Sequence, residues 1–370
     1  MAEAPDTIVH QAAQQFSAYG RHLQVRPYGS GNVNDTFLVT PKAAPDKSFI
    51  LQRLNTTVFP EPGLVMHNLR VLTNHLEQHW QEPGGAVKRR WEWPRIIPTR
   101  EGEDSWVDAR GSFWRALSFI PAAHTVDFIR QESQAWEMGF ALGRFHLCVS
   151  DLPPQSLADT LPNFHVTPAY LQSYDSIRER APIPKAPEAV YAQAFINERR
   201  GWVNILEEAK QAGTLVLRTI HGDPKVNNVM LDNTTGQAVG LIDLDTVKPG
   251  LCHYDLGDCL RSGGNPLGEE TTAWDQIQFD HHRARAILSG YLSQARSFLT
   301  AADYDYLADS VRLITFELGL RFFTDYLAGN VYFHVNHPQQ NLWRAVVQFK
   351  LTASIEAQEA ALRRLVKELR

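Results

Sequence analysis

The chain has 370 residues, of which 44% are hydrophobic and 21% charged, and its formal net charge is −5. These values are ordinary for a soluble globular protein, and the length predicts two domains or two lobes. The weakly acidic balance argues against a nucleic-acid partner, and no apolar segment reaches the roughly 18 residues that a membrane span requires.

The cysteines Cys148, Cys252 and Cys259 are too few and too irregularly spaced for a disulfide framework. We expect reduced thiols, with zinc ligation as the other option. The start, MAEAPDTIVHQAAQQF, lacks the basic and apolar regions of a signal peptide. A cytoplasmic protein is therefore predicted, and no oligomeric state is indicated.

The first part of the chain predicts a small antiparallel sheet with one long helix. A short helix is expected in APDTIVHQAAQQF, and RHLQVRPYGSGNVNDTFLVT is typical of two strands joined by a glycine-containing turn. SFILQRL, RWEWPRIIPT and SFWRALSFI predict three more strands. Between them, PGLVMHNLRVLTNHLEQHW has apolar residues at helical spacing.

The pattern changes near residues 119–123, where an apolar strand meets a proline, so we divide the chain into 1–120 and 121–370. SQAWEMGFALGRFHLCV and INERRGWVNILEEAKQAG predict helices on either side of a proline-rich stretch. Two short strands follow, and then helices to the end, clearest in FELGLRFFTDYL and SIEAQEAALRRLVKELR.

Two polar clusters stand at the ends of apolar strands in this second part. TIHGDPKVNNVMLD, residues 219–232, predicts strand, loop and strand, and AVGLIDLDTV, residues 238–247, predicts a strand that ends in aspartates. Such strands side by side would bring Asp223, Asn228 and Asp243 into one cleft. Carboxylate and amide oxygens suit Mg²⁺, and a further carboxylate can orient and deprotonate a hydroxyl. These parts predict phosphoryl transfer to an alcohol.

The alternative is a plain hairpin with polar turns, because Asp223 with Pro224 and Asp232 with Asn233 are ordinary turn pairs. Such a hairpin does not predict the second carboxylate motif that follows it.

The loop resembles that of protein kinases, in which His-Arg-Asp is followed by an asparagine five residues after the aspartate. Here His-Gly-Asp at residues 221–223 is followed by Asn228, and Lys225 matches a lysine of that loop. His-Gly-Asp, the Ile-Asp-Leu-Asp around Asp243 and the segment CHYDLGDCLRSG resemble the aminoglycoside phosphotransferase and choline kinase branch.

The resemblance implies an α+β, protein-kinase-like two-lobed fold, with an N-lobe of antiparallel sheet plus helix and a mainly helical C-lobe. Residues 1–120 would bind ATP, and residues 121–370 would carry catalysis and substrate binding. It further implies that Asp223 and Lys225 are catalytic and that Asn228 and Asp243 hold Mg²⁺.

Three neighbouring residues are expected to support these groups. His221 would bond the backbone of the catalytic loop, and Asp255 would order that backbone from beneath. Asp245 has three open roles, namely a second metal contact, a substrate contact or a structural acceptor.

The nucleotide end is predicted in YGSGNVNDTFLV, where glycines allow a backbone turn to approach phosphates closely. Its candidate contacts are Gly29, Ser30, Gly31, Asn32 and Asn34. The next strand carries Gln52 and Arg53 where the family has a lysine, and neighbours on a strand face opposite ways. We expect Arg53 to face the cleft because of its charge, with Gln52 as the alternative.

Two other parts of the nucleotide end follow from the same resemblance. ALSFIPAAH would form the hinge, in which Phe119 and Ile120 offer main-chain groups to adenine. The helical segment that should supply a partner glutamate, PGLVMHNLRVL, contains none, and Asn68 is the nearest polar substitute. The usual lysine–glutamate pair is therefore expected to be missing.

The acceptor end is predicted from FELGLRFFTDYLAGNVYFHVNHPQQNLWRAVVQFKL, which resembles bacterial N-acetylhexosamine 1-kinases. The resemblance implies that Arg321 and Tyr332 contact a sugar and that its anomeric hydroxyl is phosphorylated. The alternative is an ion-pair ladder of Glu317, Arg321 and Asp325 along one helix face.

Two rival functions remain open. One is a kinase of another small alcohol, such as choline, methylthioribose, homoserine or an aminoglycoside. The other is a non-catalytic pseudokinase that serves as a binding module, which the missing lysine–glutamate pair favours. The presence of Asp223, Asn228 and Asp243 argues against the second.

Overall fold

The computed structural model describes residues 5–16, 18, 20, 22–29, 33–79 and 89–370. Its largest sheet is antiparallel and lies in the N-terminal part, with strand order β1-β2-β3-β6-β4 and with β5 also paired to β6. The strands of this sheet are β1 Leu23–Pro27, β2 Asp35–Pro41, β3 Phe49–Arg53, β4 Ile96–Ile97, β5 Trp106–Val107 and β6 Phe113–Ser118.

Two helices accompany this sheet, α1 Pro5–Phe16 and α2 Pro62–His79. The apolar side of α1 packs on one face of the sheet, where Phe16 meets Leu51 and Trp114 in a buried cluster. The apolar side of α2 is buried through Leu69 and Leu72 and joins the larger core of the molecule. The predicted sheet with one long helix is therefore present.

The remaining chain is mainly helical. Its helices are α3 Glu132–Cys148, α4 Thr167–Arg178, α5 Pro187–Arg199, α6 Ile205–Gln211, α7 Cys252–Gly263, α8 His281–Ala295, α9 Ala301–Asp305, α10 Leu307–Leu327, α11 Gln340–Ala357 and α12 Glu359–Leu369. Helices α3 and α8 cross very closely, because a Cβ added at Gly139 would stand 1.8 Å from the carbonyl oxygen of Ile287. Glycine thus allows the backbones of the two helices to touch.

Four short strands between α6 and α7, together with one strand that precedes α3, form two small sheets. The strands are β7 Ala123–His124, β8 Arg218–Ile220, β9 Val229–Asp232, β10 Ala238–Leu241 and β11 Lys248–Gly250. One sheet has the order β10-β9-β7, and the other pairs β11 with β8. The loops that follow β8 and β10 carry the two polar motifs.

Three elements differ from the predicted ones. The helix predicted in SIEAQEAALRRLVKELR is divided at Gln358 into the end of α11 and the whole of α12. RWEWPRIIPT forms only the two-residue strand β4, because Pro94 and Pro98 on its two sides cannot donate ladder hydrogen bonds. The helix predicted in INERRGWVNILEEAKQAG is interrupted by a 3-10 turn at Arg200–Trp202. The division at residue 120 stays a prediction. No helix in the described ranges is both long enough and apolar enough to cross a membrane.

Candidate active site

The predicted catalytic loop, residues 221–228, joins β8 to β9 and is held by hydrogen bonds to a residue of α7. Gly222 has a positive φ of 88°, and a Cβ there would stand 2.6 Å from the carbonyl oxygen of Thr246. Both the backbone conformation and the space therefore require glycine. The Asp255 carboxylate, in the first turn of α7, accepts hydrogen bonds from the main-chain nitrogens of His221 (2.7 Å) and Gly222 (2.8 Å).

His221 is neutral and holds the loop backbone. Its Nδ1 accepts a hydrogen bond from the main-chain nitrogen of Asp223 at 3.2 Å, so its Nε2 carries the proton and donates to the Ile242 oxygen at 3.0 Å. Burial lowers the pKa of His221. His221 and Asp255 thus have the supporting contacts predicted for them, and His146 reinforces Asp255 with a hydrogen bond of 2.9 Å.

The side chains of Asp223, Asn228 and Asp243, which come from the two polar motifs, lie close together. Asn228 Nδ2 donates to the main-chain oxygen of Asp223 at 2.8 Å, and Lys225 Nζ donates to the Asp223 carboxylate at 2.6 Å. The main-chain nitrogen of Ile242 donates to the main-chain oxygen of Asn228 at 3.0 Å. This bond brings the next residue, Asp243, beside the loop. Asp243 has a left-handed backbone, with φ 65°.

The electrostatics of this cluster suit a divalent cation. Desolvation in the cleft, together with the charges of Asp245 and Asp223, raises the pKa of Asp243 to about 7. Burial opposes the charge of Lys225, but Asp223 and Asp243 outweigh it and raise the pKa of the ammonium group. In the described chain, neither the Asp243 carboxylate nor Asn228 Oδ1 has a hydrogen-bond donor. These two oxygen ligands fit Mg²⁺, which prefers carboxylates and carbonyl oxygens.

The glycine turn is described only in part. Gly29 has φ +79°, and no atom lies within 4 Å of an added Cβ, so glycine is needed there for conformation and not for space. The predicted contacts Ser30, Gly31 and Asn32 lie outside the described residues. The side chain of Asn34 already bonds to other protein groups. Its Nδ2 donates to the Asp245 carboxylate at 2.7 Å, and its Oδ1 accepts from the main-chain nitrogen of Asn55 at 2.9 Å.

The structure does not support the prediction that Arg53 faces the cleft. Asp35 is its partner across β2 and β3, and Arg53 Nε donates to that carboxylate at 2.8 Å in a solvent-exposed pair, on the face of the sheet that packs against α1. Strand alternation consequently turns Gln52 inward. There the Gln52 oxygen accepts hydrogen bonds from Arg115 Nε (3.0 Å) and Nη2 (2.8 Å).

The position of Asp245 also does not support its predicted role as a substrate contact. Only 3% of its surface is exposed. One carboxylate oxygen forms an ion pair with Arg115, and the other accepts the hydrogen bond from Asn34. Of the three roles left open by the sequence, these contacts favour the structural acceptor.

The hinge residues follow β6 as predicted. In the described ranges, the main chains of Phe119 and Ile120 make no hydrogen bond. The Ile120 side chain belongs to an apolar cluster with Met230 and Val239. Tyr28, at the start of the glycine turn, meets the Phe119 ring edge-on at 5.9 Å. Unpaired main-chain groups beside apolar side chains can bind a flat heterocycle.

The predicted acceptor end lies around Arg321 of α10. Its guanidinium carbon lies 5.0 Å from the ring centres of both Phe164 and Tyr170, 5.8 Å from that of Tyr332 and 5.5 Å from that of Phe333. Within the described chain it makes neither a hydrogen bond nor an ion pair. Burial opposes the positive charge of Arg321. The guanidinium nevertheless stays cationic, because its pKa is raised by Tyr170, Tyr332, Glu317 and Asp223.

The alternative ion-pair ladder is absent. Glu317 accepts hydrogen bonds from His165 at 3.0 Å and from Thr167 at 2.7 Å. Asp325 accepts hydrogen bonds from the main-chain nitrogens of three successive residues, Val331, Tyr332 and Phe333, at 2.8–3.0 Å. Both carboxylates are therefore used elsewhere, and Arg321 lacks an acidic partner on its own helix.

Comparison with known proteins identifies the family. A family model described as a phosphotransferase enzyme family matches residues 24–287, more than half of the chain. The chain belongs to the phosphotransferase enzyme family. As a member of this family, the protein is a phosphotransferase.

Solved structures similar to this phosphotransferase agree with the fold. A microcompartment-associated aminopropanol kinase has 17% identity and a TM-score of 0.63, over 96% of this chain and 98% of that one. An aminoglycoside phosphotransferase from Alicyclobacillus acidocaldarius has 15% identity and a TM-score of 0.58, over 100% and 98%. A spectinomycin phosphotransferase in complex with ADP and spectinomycin has 14% identity and a TM-score of 0.53, over 91% and 93%. The predicted α+β, protein-kinase-like fold is thereby confirmed.

Two charged residues of the phosphotransferase site escaped prediction from sequence. Arg115 lies in the middle of an otherwise apolar strand, and that isolated charge is the one signal that could have revealed it. His165 donates from Nε2 to the Gly222 oxygen at 2.8 Å and from Nδ1 to Glu317, and thus joins the catalytic loop to α10. It stands in a proline-rich stretch without a motif, so no local pattern indicates its role.

A second group of potential metal ligands lies away from the cleft of the phosphotransferase. Ligand atoms of Cys252, His253 and Asp303 lie within 4.8 Å of one another. Arg218 already donates to the Asp303 carboxylate, at 2.8 and 3.2 Å, so a cation is present there. Burial raises the pKa of Cys252 to about 12, which keeps the thiol protonated. These contacts do not favour the zinc option.

Proposed function

We propose that this phosphotransferase transfers the γ-phosphoryl group of ATP to a sugar, at the anomeric hydroxyl of an N-acetylhexosamine. The observation that carries the proposal is the unpaired guanidinium of Arg321 among four aromatic rings. A neutral sugar offers hydroxyl and acetamido oxygens to its donors, and the faces of Tyr332 and Phe164 suit the apolar side of a sugar ring.

The charge of Arg321 also argues against amine substrates. Aminopropanol, choline and aminoglycosides carry a cationic nitrogen, which would be repelled by an arginine that makes no direct ion pair within the described residues. The aminopropanol kinase and the spectinomycin phosphotransferase have similar folds but identities of 17% and 14%, so their substrates need not be shared. Asp223, Asn228 and Asp243, grouped together, support catalysis over a pseudokinase role.

The proposed mechanism assigns one task to each group. Asp223 orients the acceptor hydroxyl and accepts its proton, as the aspartate of a kinase catalytic loop does. Lys225, already 2.6 Å from Asp223, neutralises charge on the transferred group. Asn228 and Asp243 would hold Mg²⁺, which shields the phosphate oxygens when bound. Phe119 and Ile120 would bind adenine through their main chains. The bulk of the rate gain then comes from positioning and electrostatics.

The site is expected to function in a reducing compartment. Cys148, Cys252 and Cys259 are unpaired thiols. Action in the cytoplasm is consistent with that state.

An acceptor panel tests the proposal. ATP consumption would be measured with N-acetylglucosamine, N-acetylgalactosamine, glucosamine, glucose, choline, aminopropanol and an aminoglycoside, and ³¹P NMR would locate the phosphate in the product. We expect turnover with the N-acetylhexosamines, an anomeric phosphate product, and much weaker turnover with the cationic compounds. Turnover with the amines alone would overturn the sugar assignment and leave the family assignment standing.

A further inference from the structure

The cation that should hold the nucleotide phosphates is missing from its usual strand. In protein kinases a lysine of the third strand fills this role. Here the inward residue of β3 is Gln52, while Arg53 pairs with Asp35 on the outer side. Helix α2 does not supply the partner carboxylate either. Its one glutamate, Glu77, lies near the end of the helix and pairs with Arg95 at 3.5 Å, while Asn68 donates to the main-chain oxygens of Ala158 (2.8 Å) and Val247 (2.9 Å).

A different cation stands on the same face of the sheet. Arg115 of β6 is the register partner of Gln52 on β3, so both side chains project to the same side. Gln52 Nε2 donates to Thr36 at 3.1 Å, which turns its carbonyl oxygen toward Arg115. Asp245, from the opposite lobe, supplies the carboxylate partner. An arginine–aspartate pair across the lobes thus stands where the lysine–glutamate pair is missing.

The arginine has hydrogen-bonding capacity left over. Its Nη1 is buried yet has no acceptor in the described part of the chain. A buried guanidinium N–H without an acceptor is unfavourable, so the site favours an additional oxygen ligand. Asp245 connects Arg115 to Asn34 of the glycine turn and lies two residues beyond the metal-ligand candidate Asp243. Arg115 therefore stands between the turn that would cover the phosphates and the loop that would hold the metal.

We infer that Arg115 binds the α- and β-phosphates of the nucleotide through Nη1, and that Gln52 and Asp245 position it. The inference rests on the proposed use of ATP and does not depend on the identity of the acceptor. In this arrangement one ion pair aligns the glycine turn, the sheet and the metal loop, so phosphate binding requires both lobes.

Calorimetric titration with ADP and with adenosine, in buffer containing EDTA, separates phosphate contacts from base contacts. We expect Arg115→Gln to weaken ADP binding roughly 10–100-fold, as the loss of a charge-assisted hydrogen bond predicts, and to leave adenosine binding unchanged. Arg115→Lys should recover part of the ADP affinity. Arg53→Gln, an arginine variant on the outer face of the same sheet, is the matched control and should bind both ligands normally.

A buried Asp245 without its partner could prevent folding, so the double variant Arg115→Met with Asp245→Asn supplies a charge-neutral interior. It should show the same selective loss of ADP affinity. Equal ADP affinity in this variant and the wild type, or equal loss for ADP and adenosine, would overturn the inference. A wild-type protein that binds neither ligand would overturn the proposed use of ATP as well. ADP binding without phosphorylation of any sugar would remove only the acceptor assignment.

Discussion

The two ends of the cleft use their charged side chains differently. At the end proposed to bind the nucleotide, hydrogen bonds and an ion pair connect Asn34, Gln52, Arg115 and Asp245 across the two lobes. At the acceptor end, Arg321 is surrounded by aromatic rings and has no polar partner in the described chain. Side chains that hold one another in place suit a ligand that is the same in every reaction cycle, as the nucleotide would be. The unpaired arginine suits recognition of a particular acceptor.

The predicted catalytic loop lies between the two ends. Replacement of its aspartate, Asp223, should have the largest effect on turnover. Asp223→Asn keeps the shape of the side chain but cannot take up the proton of the hydroxyl. We expect turnover to fall by roughly 10²–10⁴-fold, while the affinity for ADP stays nearly unchanged. Steady-state kinetics and ADP titration measure the two quantities. Retained turnover would remove Asp223 from its catalytic role.

The unpaired state of Arg321 predicts an effect on the acceptor alone. Arg321→Gln should lower kcat/KM for the sugar by roughly 10–100-fold, because charged hydrogen bonds to the acceptor are lost. The KM for ATP should stay constant, as it should in Arg285→Gln, an exposed arginine of α8. A rise in the KM for ATP would contradict the separation of the two ends.

Asp325 tests whether the acceptor loop depends on a single carboxylate. Asp325→Asn weakens its acceptance of three main-chain N–H groups, from residues 331–333 that carry Tyr332. We expect the KM for the sugar to rise about fivefold, corresponding to about 1 kcal/mol, with kcat little changed. An unaltered KM would indicate that other contacts hold Tyr332 in place.

The link from α10 to the catalytic loop predicts a small effect of pH on stability. Burial opposes protonation of His165, but Glu317, Asp258 and the Gly222 oxygen outweigh it and raise the pKa of His165 above 6.5. The folded state therefore holds this proton more tightly than the unfolded state. The stabilisation is complete below pH 6.5 and is lost as pH rises through the raised pKa.

Urea unfolding of the wild type between pH 6 and 9 should show this decline in the free energy of unfolding. His165→Asn should reduce the pH dependence in that range. The same slope in both proteins would assign the pH dependence to other groups.

Local patterns were sufficient for the catalytic loop and its surroundings. The spacing of Asp223, Asn228 and Asp243 predicted their convergence, since short strands on either side leave little freedom to the loop residues. His221 and Asp255 were also interpreted correctly, because both lie next to these motifs in the chain. The periodicity of apolar residues also predicted the sheet with one long helix and the helical region that comes after it.

Only the tertiary structure decided the partners of the charged residues. Arg53 faces outward because Asp35 stands opposite it in the sheet, and Arg115 meets Asp245 across 130 positions of sequence. Among the described residues Arg321 makes no ion pair, because Glu317 and Asp325 bind other groups. Strand register and helix packing set these distances. Sequence by itself therefore determined the polar groups of the two motifs, and the packing of distant segments decided which other charged residues face the cleft and which remain available to a ligand.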